Sequence, residues 1–288
     1  MNPAGGRDAP VALICGGGSL PLTVADSIAA RGREVLLFPL HGAAKAADYE
    51  GRPHHWLYYG QGSRFERLAQ EAGCREVVFI GSLVRPALWQ IRPDWRVWRY
   101  MPRVIAAFRG GDDHLLKSIA QMFEENGFHL VGAHEVAPEI LVPDGVLGRI
   151  ELSPRDQADI AAGLDYLRAS SPFDVGQAVV VADKHILAVE AAEGTDAILA
   201  RVADMRASGR VRTAPRTGVL VKAPKQDQDR RFDLPSIGPQ TVEGAARAGL
   251  AGIAVMAGSS IVAEPQALVA AADRAGLFVV GVKAEPVR

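Results

Sequence analysis

Residues 11–21 read VALICGGGSLP: five apolar residues, three glycines, then Ser19-Leu20-Pro21. A run as short and apolar as VALIC suits a strand buried on both faces. The glycines can turn the chain tightly into the helical stretch predicted over 21–31. Working outward, EVLLF at 34–38 and EVVFI at 76–80 read as further strands, and FERLAQEAG at 65–73 as a helix between them. This alternation predicts βαβ units and a mostly parallel sheet. From Asp112 the stretch DDHLLKSIAQMFEENG predicts a helix with Leu115, Leu116, Ile119, Met122 and Phe123 on one side and Gly127 as its stop. FHLVGAHEV, 128–136, then reads as another strand.

Pro138, Pro143, Gly145 and Pro154 punctuate residues 136–154, which reads as a connector. Beyond it, Ser153-Pro154 starts a helix whose Ile160, Leu164 and Leu167 make a core-facing stripe. VGQAVVVADKHILAVEA predicts two strands turning at Asp183 and Lys184. A helix from Thr195, a strand at GVLVKA and a final strand, helix and strand through LFVVGV follow. The expected class is α/β with two domains joined by a Pro/Gly-containing linker: a Rossmann-like parallel-sheet domain over 1–150 and a mixed α/β domain over 151–288.

The chain has 288 residues and 48% hydrophobic content, enough for two cores. Lys plus Arg number 32 against 33 Asp plus Glu, so no basic excess argues for nucleic acid, and any anion site must be built locally. Cys15 and Cys74 are expected to be small buried apolar residues in a reducing, cytoplasmic setting. No run of ~18 apolar residues occurs, and MNPAGGRDAP carries no apolar stretch, so neither a span nor an export signal is expected.

Three polar segments carry candidate chemistry. GGGSLP can aim backbone N–H groups at phosphate from a helix N-terminus, or make only a tight βα turn. In EGTD, 193–196, Thr195 or Asp196 can simply cap the next helix. Alternatively, Gly194 lets the backbone approach a ligand while Glu193 and Asp196 help to place a metal or hold a sugar. The densest cluster, VKAPKQDQDRRFDLPSIGPQT at 221–241, sets Lys222, Lys225, Arg230 and Arg231 among Asp227, Asp229 and Asp233 just past a strand. Phosphoryl chemistry needs such cations on oxygen and carboxylates for Mg²⁺. A solvated charged loop is the plain alternative, although the apolar Leu234-Pro235 behind Asp233 favours an anchored one.

RPALWQIRPDWRVWRYMPR, 85–103, interleaves three of the four tryptophans with arginine, which suits a lipid headgroup interface or an ordinary amphipathic helix. HExxH, GxSxG and P-loop patterns are missing, so zinc hydrolysis and serine esterase chemistry are not expected.

CGGGSLP, GSLVRP at 81–86, GDDHLL at 111–116, GAHEV at 132–136, DVGQAVVV at 174–181, AVEAAEGTD at 188–196 and VKAPK followed by QDRRFDLPSIG closely resemble the LpxI family. Those enzymes are UDP-2,3-diacylglucosamine pyrophosphatases of lipid A biosynthesis. The match runs in order through nearly the whole chain. The resemblance implies an active site between two domains, Mg²⁺ (or Mn²⁺) as cofactor, and water attack on the phosphorus nearer uridine. Asp233 falls on the family's essential aspartate and is the expected catalytic residue. Asp233, Asp196 and Glu193 are the expected metal ligands. Gly17, Gly18, Ser19, Leu20, Gln177, Gly194, Thr195, Lys222, Lys225 and Arg231 are the expected substrate contacts. One departure stands in the loop: the family commonly has Lys-Pro where this chain has Lys225-Gln226. The implied partners are the amphiphilic substrate and, by weak peripheral contact through 85–103, the inner membrane; a homodimer is compatible. Two alternatives stay open, a pyrophosphatase of another sugar nucleotide and a non-catalytic nucleotide or lipid-phosphate binding regulator.

Overall fold

The computed structural model describes residues 9–82, 91, 92, 94, 112–173, 175–225, 229–232 and 234–283, with backbone alone at 112–117. The chain forms two compact units: Met1–Ile140 with Asp229–Asp233, and Leu141–Gln228 with Leu234–Arg288.

The first unit is a parallel sheet of β1 (Val11–Cys15), β2 (Val35–Pro39), β3 (Glu76–Ile80) and β4 (His129–Leu130), in the order β2-β1-β3-β4. Every residue of β1 is buried, as a strand covered on both faces requires. Helix α1 (Leu20–Ala30) packs Val24, Ala25 and Ile28 inward, and α2 (Gly62–Glu71) packs Phe65 and Ala69. Helix α3 spans Asp112–Glu125. Its Phe123 meets Phe65, with centroids 5.2 Å apart, and Phe79 at 5.4 Å. The Leu115 and Leu116 side chains of the predicted stripe lie outside the described residues.

The strand predicted over 128–136 is cut short after Leu130. The Gly132 N–H donates to Glu135 Oε1 at 2.7 Å and the Glu135 N–H to Gly132 O at 2.9 Å, so the chain coils into α4 (Ala133–Val136) instead. Cys15 and Cys74 are buried, with burial pushing their thiols up to about 12 and about 11, so neither is a nucleophile at neutral pH.

The second unit begins inside the stretch read as a connector. Val142 is in its core and donates its N–H to Ser260 O at 2.9 Å. Next come β5 (Gly145–Val146), α5 (Pro154–Ser170), β6 (Ala178–Ala182), β7 (His185–Val189), α6 (Thr195–Ala207) and β8 (Val219–Lys222). The unit ends with β9 (Ser236–Ile237), α7 (Pro239–Arg247), β10 (Gly252–Met256), β11 (Ile261–Val262), α8 (Pro265–Ala275) and β12 (Phe278–Val282).

The main sheet runs β5-β12-β10-β8-β6-β7, with the β12–β10 and β10–β8 pairs parallel and the β5–β12, β8–β6 and β6–β7 pairs antiparallel; β9 and β11 form a small parallel pair. One face is covered by α6, α7 and α8 through Ile198, Leu199, Val202, Val242 and Leu268, and the other by α5 through Ile160 and Leu167. Each such side chain contributes roughly 1.5–3 kcal/mol on burial. The α/β class therefore holds, with a parallel sheet in the first unit and a mixed one in the second. Among the described residues no helix is long and apolar enough to cross a membrane.

Candidate functional site

In the first unit β1 lies between β2 and β3, so the carboxyl ends of β1 and β3 form the edge where open α/β sheets take ligands. GGGSLP follows β1 and GSLV follows β3, and the two loops bond to each other. Gly17 donates to Ser82 O and Ser82 to Gly17 O, both at 2.9 Å. A Cβ on Gly16 would stand 2.5 Å from Ser82 O, and one on Gly17 would stand 2.8 Å from Ala43 O. These two glycines are needed for backbone approach. Gly18 is different: it is exposed, has φ +89° and has open space where a side chain would go. Ser19 caps α1 without a side-chain bond, and Leu20 and Pro21 open the helix. Gly18, Ser19 and Leu20 thus present backbone at an electropositive helix start.

The second unit holds a continuous polar chain at the carboxyl end of β8. Lys222, the last residue of that strand, is 7% exposed. Its Nζ donates to Thr195 Oγ1 and to Ser236 O, each at 3.0 Å. Thr195 Oγ1 in turn donates to Glu190 Oε1 at 2.7 Å, and Glu190 Oε2 accepts the Gln177 N–H at 2.8 Å. Lysine has only donors and a carboxylate only accepts, so the direction of each bond is set. Thr195 commits its one hydrogen to Glu190 and offers lone pairs to Lys222.

Neither Thr195 nor Asp196 caps α6. Gly194 does, with φ +83°, no clash at a would-be Cβ and no side-chain bond; Thr195 sits one residue inside. Asp196 is exposed in the first turn. Glu193 accepts the Ala191 N–H at 3.1 Å and pairs with Arg201 at 3.2 Å.

The acidic loop divides differently from its sequence. Arg231 grips Asp229 through Nε at 3.0 Å and Nη2 at 2.8 Å, and reaches Glu124 with Nη1 at 3.2 Å. Phe232 lies 5.7 Å from Phe79, centroid to centroid. The backbone oxygen of Arg230 approaches Gly132, where a Cβ would stand 3.3 Å away. These contacts explain why 229–232 belongs to the first unit. They also give the Arg231 guanidinium two carboxylate partners, which offset its charge. Lys225 is half-buried on the loop after β8. Asp233 and Asp227 lie outside the described residues, as do residues 85–90 and 95–103 of the Trp/Arg stretch.

Among the described residues no group of three or more His, Cys, Asp and Glu forms a metal cage. Mg²⁺ needs no such cage, since one or two carboxylates, water and substrate phosphate complete its shell. Exposed Asp196 fits that donor set better than Glu193, whose carboxylate already holds Arg201.

Residues 10–140 match the model of the LpxI N-terminal domain and residues 143–280 that of the LpxI C-terminal domain. The chain belongs to the LpxI family. It is 43% identical over 270 residues to the UDP-2,3-diacylglucosamine pyrophosphatase LpxI of Caulobacter vibrioides, covering 94% of this chain and 96% of that protein.

Within the LpxI C-terminal domain, the fold joins Gln177 from DVGQ, Thr195 from EGTD and Lys222 from VKAPK into one chain of bonds. It does not attach Glu193 or Asp196 to that chain through any described contact. Reasoning from sequence passed over Glu190 and the Ser236 carbonyl. The available signal was Glu190's place directly after β7, the first ionisable residue between the strand and the EGTD turn.

Proposed function

We propose that this chain hydrolyses the pyrophosphate of UDP-2,3-diacylglucosamine, as its 43% identical relative is named to do, releasing UMP and 2,3-diacylglucosamine 1-phosphate. The observation carrying this reading is that the likeness spans 94% of the chain and includes every segment of the Gln177–Glu190–Thr195–Lys222 chain. Water oxygen bonds to the phosphorus nearer uridine, the bond from that phosphorus to the bridging oxygen breaks, and the bridging oxygen leaves with the sugar phosphate. The two protons of water end on the products or solvent.

The pyrophosphate bears two negative charges that must be offset before water approaches. In the second unit Lys222 supplies a fixed cation at the carboxyl end of β8; the first unit, taken by itself, offers backbone N–H dipoles at Gly18–Leu20. The Thr195 side chain serves substrate through Lys222, because its hydrogen is directed at Glu190. Arg231 acts as an anchor for 229–232 through Asp229 and Glu124. Asp233 is assigned the role of accepting the proton of the attacking water or binding the metal. Bound Mg²⁺ or Mn²⁺ would neutralise phosphate oxygens, and in the second unit Asp196 offers it an exposed carboxylate. The substrate's acyl chains start in a bilayer, so weak peripheral membrane contact is part of the proposal.

Purified chain incubated with the substrate, Mg²⁺ and ¹⁸O-water tests it directly. UMP carrying the label is the expected product. Label in the sugar phosphate would move the attack to the other phosphorus, and no UMP with either metal would overturn the reaction.

A further inference from the structure

Glu190 belongs to no expected set of ligands, yet four bonds of the second unit converge on it. Its backbone O accepts the Gly176 N–H at 3.0 Å and its backbone N–H donates to Ala178 O at 2.9 Å, extending the β6–β7 pairing by a residue. Its carboxylate then divides, Oε2 on the Gln177 N–H at 2.8 Å and Oε1 on the Thr195 hydroxyl at 2.7 Å. Gly176 is required for this approach, since a Cβ there would lie 2.5 Å from Glu190 Cγ and 2.6 Å from Glu190 O. The strand pairing therefore places the carboxylate, and the carboxylate orders the hydroxyl.

We infer that Glu190 is a positioning residue for Lys222: by taking the Thr195 hydrogen it leaves the Thr195 Oγ1 lone pairs to the Lys222 ammonium and so fixes that cation at the carboxyl end of β8. This rests on the pyrophosphatase reading for the reaction in which Lys222 acts, and on the bonds alone for the coupling itself. A hydroxyl has one hydrogen and two lone pairs, and Glu190 takes the hydrogen while Lys222 takes a lone pair. With a carboxylate at position 190 the hydrogen points at Glu190 and the lone pairs at Lys222. With Glu190→Gln, the amide oxygen keeps the Gln177 N–H and the amide NH₂ faces Thr195 Oγ1. Thr195 Oγ1 is then shared between two donors, the amide NH₂ and the Lys222 ammonium, and its own hydrogen has lost Glu190 as acceptor, so the bond to Lys222 is weakened while Ser236 O is kept. The size and shape of the side chain are retained, so the change is in bond direction rather than packing.

The test is a double-mutant cycle on the full chain, with UMP release as the assay and circular dichroism as the check on folding. Glu190→Gln is expected to lower kcat about 10- to 100-fold with KM changed less than about threefold, the loss expected when a charge stabilising the transition state moves by about 1 Å. In a Lys222→Met background the same substitution is expected to change kcat less than about twofold, because the group it acts through is gone. Thr195→Val, which cuts the relay while leaving Glu190 in place, should reproduce the loss, and Thr195→Ser should restore most of it. If Glu190→Gln fails to fold, Thr195→Val and Thr195→Ser decide the question by the same criteria. Wild-type kcat in Glu190→Gln, or an equal loss in both backgrounds, overturns the inference. If the wild-type chain releases no UMP, the reaction reading fails and calorimetric binding of UDP replaces turnover. Glu190→Gln should then weaken affinity about tenfold in the wild-type background and not in Lys222→Met; equal affinity overturns the coupling.

Discussion

Asp159→Ala should destabilise the second unit without touching the polar chain at β8. Asp159 sits on α5 with no exposed surface, and its two oxygens accept the N–H groups of the β6–β7 turn: Lys184 N at 2.6 Å and Asp183 N at 3.2 Å. Both turn residues have positive φ, 52° and 61°, a type I′ geometry that Asp and Lys adopt at a cost. The buried carboxylate keeps them there. Hydrogen bonds to a charged group contribute roughly 1.5–3 kcal/mol each, and the short one should stand near the top of that range. The Asp183 and Lys184 side chains are exposed, so water replaces part of the loss, leaving about 2–4 kcal/mol for Asp159→Ala. The half-exposed Arg155–Asp183 pair at 2.5 Å adds little. Urea unfolding followed by far-UV circular dichroism reads this as a lower midpoint at unchanged slope. Asp159→Asn, which keeps one acceptor oxygen, should lose about half as much, and Lys184→Gly in the Asp159→Ala background should recover about 1 kcal/mol. A midpoint for Asp159→Ala within about 0.5 kcal/mol of wild type would show that water satisfies the turn and that the carboxylate does not hold it.

Cys15 and Cys74, with thiols pushed up to about 12 and about 11 by burial, should resist a thiol reagent at pH 8 in the native chain and react after unfolding; fast native labelling would contradict their burial. Burial, with Arg230 adding to it, holds His134 below the ordinary histidine range. The neutral form is favoured on folding, so its stability contribution is present above the unfolded value of about 6.5 and is lost as pH falls through the folded one. His134→Gln should flatten that acid limb, and an unchanged limb refutes the assignment. Asp233→Asn should fold and lose at least ~10²–10⁴ in kcat; wild-type turnover at saturating substrate would transfer the role to another carboxylate. EDTA should abolish UMP release and Mg²⁺ restore it, whereas full activity after exhaustive chelation would leave charge neutralisation to Lys222 and the backbone dipoles.

What could be read in advance depended on how local its cause was. VALIC, EVVFI and the Ser153-Pro154 start are set by neighbours within a few residues, and the structure places β1, β3 and the start of α5 there, with Ser153 Oγ accepting the Asp156 N–H. The break at Asp183-Lys184 marked the hairpin because the polar Asp183-Lys184-His185 interrupts two apolar runs. FHLVGAHEV misled for the opposite reason: its apolar run suits a strand, but the Gly132–Glu135 bonds turn the chain at a point composition does not mark. Val142 lies among prolines and glycine that read as connector, yet its N–H finds Ser260 O more than a hundred residues away.

The candidate site shows the same limit more sharply. Thr195 and Lys222 stood out by residue type, but type does not say which way a hydroxyl points. Its direction depends on Glu190, five residues earlier, and Glu190 depends on Gly176 across the sheet. A glutamate followed three residues later by the glutamate that opens EGTD reads as a solvated acidic turn, and for Glu193, bound to Arg201 at the surface, that description holds. The difference between the two glutamates is one of strand pairing: Glu190 still bonds to β6, while Glu193 has left the sheet. Residues that look alike in a motif are thus separated by whether the backbone beneath them is still paired, and a substitution that frees Glu190 from Gly176 should make it behave as Glu193 does.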